Sequence, residues 1–320
     1  MREASFLSQN EQKWRKVEQI LDKNSDLSPD ESADLFVELT DDLSYARTHY
    51  KDSVSTKYLN SLARGIFQKL SEAKREKLDR FGTFWKYEVP LILFKHRLKL
   101  LYAFLFFAVC LAIGAVSTHY DESFPRVVLG DEYVDMTLRN IEKGDPMGVY
   151  KDSDSQSMFV GITMNNVRVA GWTFVAGILF SFGTYYFLFV NGVMVGAFQY
   201  FFVTKGLFWE SFLTIWIHGT IEISSIVIAG AAGITLGNSL LFPGTYPRKY
   251  SLIKGAKDAV KISIGLVPLF IFAGFLEGFV TRHTEFPDFI RGGIILGSAV
   301  FIVWYFIIYP RRVAKRYAVD

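Results

Sequence analysis

Two apolar patterns divide the chain. Up to about residue 82, apolar side chains recur every three or four positions between charged ones, the period of an amphipathic helix. Ser8 with Glu11 fits a capping box opening a helix near 9–24. Ser28-Pro29-Asp30-Glu31 repeats that signature, with Pro29 at the first helical position. The second helix carries Leu35, Leu39, Leu43, Ala46 and Tyr50 on one stripe. A third, from Thr56 to Arg80, carries Leu59, Leu62, Ile66, Leu70 and Ala73. Three such faces need a common partner, so residues 1–82 are expected to form a soluble helical module.

Beyond residue 97 the apolar residues run on for about 20 positions at a time, the length that crosses a bilayer. Spans are predicted near 98–118, 169–190, 192–208, 210–237, 261–280 and 291–309. The block 169–208 is too long for one crossing, and Asn191-Gly192 is the natural turn to break it. Residues 83–97 mix Trp85 and Tyr87 with Lys86, Lys95 and Arg97, a composition suited to headgroup depth. The fold class expected is therefore all-α: a polytopic helical membrane protein of about six transmembrane helices with an N-terminal helical module.

Charge orients this arrangement. Residues 121–167 hold nine acidic and four basic side chains, whereas 238–261 hold five basic and one acidic. The 310–320 tail adds Arg311, Arg312, Lys315 and Arg316. The positive-inside rule then puts both termini and the 238–261 loop in the cytoplasm, with the protein in the cytoplasmic (inner) membrane. The net charge of +3 is too small to suggest nucleic acid, and the single cysteine, Cys110, permits neither an internal disulfide nor a cysteine metal site. No phosphate loop, nucleophile elbow or cofactor motif is present, so neither an enzyme nor a cofactor is expected.

The candidate chemistry is a set of polar residues inside apolar runs. His218 and Glu222 lie one helical turn apart, and Ser225, Ala229, Gly233 and Gly237 continue their face as a small-residue ladder. Glu277 stands between Gly274 and Gly278 on the next span, and Asn165, Asn166 and Arg168 approach from the span before. An ionisable group at mid-membrane costs at least ~2.5–3.5 kcal/mol, so such groups face protein or a pathway. They are expected to meet as one intramembrane cluster, either a structural network or a proton, ion or substrate route. His218 and Glu222 at i, i+4 could supply two metal ligands, but zinc usually takes three from protein and no second motif is paired with them, so no metal is expected. Gly293 and Gly297 form a further close-packing face that admits a homodimer.

The blocks NNVRVAG (165–171), FVNGVMVG (189–196), HGTIE (218–222) and AGAAGITLG (229–237), followed by Glu277, resemble the stage II sporulation protein M family over roughly residues 95–310. The resemblance implies an integral membrane protein. The family's namesake serves engulfment during spore formation beside two peptidoglycan-degrading partners and is viewed as a scaffold; relatives occur in bacteria and archaea that make no spores. It therefore implies a non-enzymatic scaffold or complex subunit, linked to envelope or peptidoglycan remodelling, with membrane lipids and other membrane or cytoplasmic proteins as partners. An ion, proton or lipid transporter built on His218, Glu222 and Glu277 is the competing reading.

Overall fold

The structure, a computed structural model, describes residues 3–22, 29–51, 53–72, 80–151 and 154–317. All regular elements among them are helical. The chain forms two units, Met1–Gly82 and Thr83–Asp320, each with its own apolar core.

The first unit contains α1 (Glu3–Asp22), α2 (Pro29–His49) and α3 (Val54–Glu72). Their stripes meet as the spacing predicts: Leu39, Leu43 and Ala46 of α2 and Leu59, Leu62 and Ile66 of α3 are buried with Phe6, Trp14 and Val17 of α1. Trp14 is 2% exposed and its indole N–H donates to Asp42 Oδ2 at 2.8 Å. α2 opens at Pro29, while the capping residue Ser28 and the side chains of Asp30, Glu31, Leu70 and Ala73 lie outside the described residues. The expected start of α1 is corrected. The helix begins at Glu3, so Ser8 is interior, because Phe6 packs against Trp14, Tyr45 and Tyr50 and holds the extra turn.

A single turn, α4 (Arg80–Thr83), and a π-helical turn, Phe84–Glu88, lead to α5 (Val89–Lys95). From Phe84 on, the chain packs against the other helices of the second unit. Val89 and Leu93 are buried, Trp85 Nε1 donates to Gly265 O at 3.3 Å, and Tyr305 Oη donates to Trp85 O at 2.7 Å. There follow α6 (Arg97–Tyr120), α7 (Phe124–Leu129), α8 (Asp131–Glu142), α9 (Ser155–Val175), α10 (Phe182–Thr204), α11 (Phe208–Leu241), α12 (Arg248–Phe275), α13 (Asp288–Val303) and α14 (Tyr309–Arg316). Among the described residues five helical segments are long and apolar enough to cross a membrane: Arg97–Tyr120, Phe182–Thr204, Phe208–Leu241, Arg248–Thr281 and Asp288–Arg316. The protein is an all-α, polytopic membrane protein.

The spans expected at 169–190 and 192–208 are corrected. Asn191 and Gly192 are not a helix break: both lie inside α10. The chain instead reverses at 176–181, through a 3₁₀ turn (Ala176–Ile178) and two left-handed residues, Phe180 (φ 52°) and Ser181 (φ 68°). Close packing decides this. Asn191 Nδ2 donates to Phe187 O, four residues back in the helix, at 2.8 Å. A Cβ on Gly192 would come within 2.7 Å of Cys110 Cβ, so its missing side chain lets α10 lie against α6. A Cβ on Gly177 would come within 2.1 Å of Gly233 O, so the reversal is seated on the glycine face of α11.

α9 thus takes the place of the expected second span and begins earlier, where Asp154 caps it by accepting from the backbone N–H groups of Gln156 and Ser157. It lies alongside the apolar helices over its whole length. Ser155 and Phe159 face Gly278, Thr163 faces Gly274, and Thr173 faces Gly233. α9 therefore runs antiparallel to α12 and parallel to α11, which makes it a sixth helix of the bundle. Its Asn165, Asn166 and Arg168 keep it outside the apolar set.

Candidate functional site

α11 and α12 create the site by antiparallel packing. Small residues make the close approaches possible: a Cβ on Gly255 of α12 would meet Ser239 Cβ of α11 at 2.3 Å, and on α11 a Cβ on Gly237 would meet Ser181 Oγ of the reversal at 2.2 Å and one on Gly233 would meet Thr173 O of α9 at 2.6 Å. Ser225 and Ala229 on the same face are fully buried. Gly274 and Gly278 pack on α9, as above. Gly293 and Gly297 do not pack within the chain: a Cβ on either would meet nothing within 4 Å, so these α13 glycines form an open face.

One helical turn of α11 carries His218 and Glu222, and the end of α12 carries Glu277. This end is not α-helical. Leu276–Thr281 forms a π-helical turn, a local widening that is frequent at functional sites. It points Glu277 and Thr281 at His218 together. Thr281 Oγ1 lies 3.0 Å from His218 Nδ1, and Glu277 Oε2 lies 3.6 Å from His218 Nε2. Ligand atoms of His218, Glu222 and Glu277 all lie within 4.8 Å of one another. His218 is buried and both glutamates are largely so. Among the described residues no lysine or arginine pairs with either glutamate.

The remaining sequence candidates divide. Asn166 is buried (4% exposed) and lies beside Glu222, yet its Nδ2 has no hydrogen-bond partner. Asn165 and Arg168 are corrected: both are exposed on the outer side of α9 and do not join the cluster. Two positions along a helix turn a side chain by about 200°, so Asn166 and Arg168 cannot share a face.

Tyr150, absent from the sequence-based set, closes the site from outside the spans, and Tyr133, also absent from it, lies within the electrostatic reach of Glu277. Tyr150 sits on a 3₁₀ turn, Gly148–Tyr150, with its ring 5.7 Å from that of His218. Burial pushes its phenol well up, and Glu277 adds to the effect. Tyr133 of α8 is pushed up to about 12 by burial, with a hydrogen bond to Thr137 pulling the other way and Glu277 adding a smaller push. Both therefore present neutral hydroxyl groups at neutral pH. Nothing in the spacing of residues 121–167 marks either tyrosine, because only the folding of α8 and the 148–150 turn over the bundle brings them here. Thr281 was legible in principle, one turn beyond Glu277.

The profile of a family described as stage II sporulation protein M matches residues 103–282, 180 of the 320 positions. The chain belongs to the stage II sporulation protein M family. His218, Glu222, Glu277, Thr281, Asn166, Tyr133 and Tyr150 all lie in the stretch that carries the sporulation protein M match. A second profile, a domain of unknown function (DUF8413), matches residues 4–72, which hold α1, α2 and α3. No curated protein and no solved structure matches the chain.

Proposed function

We propose that this member of the stage II sporulation protein M family is a non-enzymatic subunit of a membrane assembly, a scaffold that holds another membrane-spanning helix against α9. One observation carries the reading. Gly161, Asn165, Arg168, Trp172 and Val175 form an exposed stripe at spacings of three and four along α9, and Arg168 has no partner among the described residues. Arg168 lies three residues past the midpoint of the helix. A cation left to lipid near the centre of a span costs at least ~2.5–3.5 kcal/mol, whereas a carboxylate on a partner helix offsets that cost. A Cβ on Gly161 or Gly171 would meet nothing within 4 Å, so the same side also offers room for close approach. The expected orientation, with both termini and the 238–261 segment in the cytoplasm, belongs to this proposal.

Photo-crosslinking in native membranes tests it. A crosslinker at Trp172 should capture one protein species, and one at Val116, an exposed apolar position on α6, should capture lipid. Arg168→Leu should abolish the protein adduct while leaving the expression and elution of the chain unchanged. Lipid adducts alone at Trp172 would sink the scaffold reading.

Transport is the second reading, favoured by three ionisable side chains meeting at one level between α11 and α12. It requires an ion or proton flux in proteoliposomes that Glu222→Gln abolishes.

A further inference from the structure

We propose that His218, Glu222 and Glu277 are the three protein ligands of a divalent transition-metal ion, zinc being the best fit, held between α11 and the π-helical end of α12. This does not depend on the assembly reading above.

The first argument is geometric. His218 Nδ1 is committed to Thr281 Oγ1 at 3.0 Å. When Nδ1–H donates there, the lone pair of the neutral imidazole sits on Nε2 and faces Glu277 Oε2 at 3.6 Å. That separation is too long for a hydrogen bond. It is close to the ~3.4 Å expected between two ligand atoms that each lie ~2.0–2.1 Å from one tetrahedral zinc. Two acceptors that face each other repel when the carboxylate is ionised, and a cation between them would turn that repulsion into two attractions. Imidazole and carboxylate are both ligand types that zinc takes, and three of them leave a fourth position open.

The second argument is electrostatic. Two carboxylates face the site with no lysine or arginine paired to either among the described residues. Buried carboxylates are paired, protonated or bound to metal, and one divalent cation would balance both in their ionised form.

The third observation is independent of the three ligands. Asn166 comes from a different helix, α9, is 4% exposed, and has an Nδ2 with no hydrogen-bond partner beside Glu222. A buried amide donor beside a carboxylate is placed to become the outer partner of a ligating glutamate, the role that Thr281 already fills for the histidine. The sequence groups these three residues as a cluster but does not mark them as a ligand set, because Glu277 lies 55 positions beyond Glu222 in a segment with no paired motif.

The test uses the full chain, free of a histidine tag, in mild detergent with zinc as the probe. Metal analysis after gel filtration should find about one zinc per chain in the wild type and less than a tenth of that in His218→Ala and Glu277→Gln. Thr281→Val and Asn166→Ala, which keep all three ligands, should weaken zinc affinity by roughly ten- to a hundredfold, as measured against a competing chelator. They also decide the matter if a ligand variant fails to fold. A wild type that binds no zinc, or variants that bind it as the wild type does, would overturn the proposal.

Discussion

His96 sits where only a neutral imidazole satisfies both of its neighbours. Its Nε2 lies 2.9 Å from Asp258 Oδ2 and its Nδ1 lies 3.0 Å from Lys99 Nζ. The lysine ammonium can only donate, so Nδ1 must be the acceptor and Nε2 carries the proton to the carboxylate. Burial accordingly holds the His96 pKa below its ordinary value, the hydrogen bond to Asp258 pulling the other way and Lys99 and Lys95 reinforcing the burial. The sign for stability follows. Below the ordinary imidazole pKa of about 6.5, the unfolded chain takes up a proton that the folded chain refuses, so the contribution of this site falls as pH drops from 7 to 5. Thermal melts of the detergent-solubilised protein should show that decline, and His96→Gln should flatten it. A wild-type slope retained in His96→Gln would assign the decline to other groups. The sequence shows a histidine between Lys95 and Arg97 and nothing of Asp258, which is 162 positions away.

At the scale of elements, glycines divide into those that admit a neighbour and those that face outward. A Cβ on Gly196 of α10 would lie 2.0 Å from Leu111 O on α6, a backbone atom that cannot turn aside. Gly196→Ala should therefore force the parallel α6–α10 pair apart and cost about 1–3 kcal/mol or more, read as a lowered melting temperature. On α13, Gly293→Ala meets nothing within 4 Å, and the gain in helix propensity should leave stability unchanged or raise it by up to ~1 kcal/mol. Equal losses from both substitutions would show that α13 is also packed, against a second chain. The Ser225 to Gly237 ladder was legible as a small-residue spacing. The role of Gly192 was not, since Asn-Gly reads as a turn wherever local preference decides. Here the contact with α6 outweighs that preference and keeps the helix whole.

At the scale of the whole molecule, the separate cores of the two units predict separate failure. Trp14 fills the centre of the first unit and is held by Asp42. Removing a buried aromatic costs about 3–5 kcal/mol, a large fraction of the stability of a small domain. Limited proteolysis of full-length Trp14→Ala should therefore degrade residues 3–72 rapidly while leaving a resistant fragment that begins near residue 83. Loss of the membrane unit at the same rate would show that the units fold as one. The match of residues 4–72 and residues 103–282 to two different families follows the same division.

The sequence by itself determined which stretches are apolar enough for lipid, the amphipathic stripes that close the N-terminal module, and the short list of polar residues that a membrane interior must accommodate. These are properties of composition and period, readable without neighbours. Tertiary structure decided where the chain turns and which way each helix is rotated. Phe180 and Ser181 take left-handed conformations that their residue types disfavour, because Gly177 and Ser181 seat the reversal on Gly233 and Gly237. Rotation of α9 then sends Asn166 to Glu222 and Arg168 outward, and the π-helical turn brings Glu277 to His218. Local preferences are worth at most about a kilocalorie per residue, and the packing of whole helix faces exceeds them.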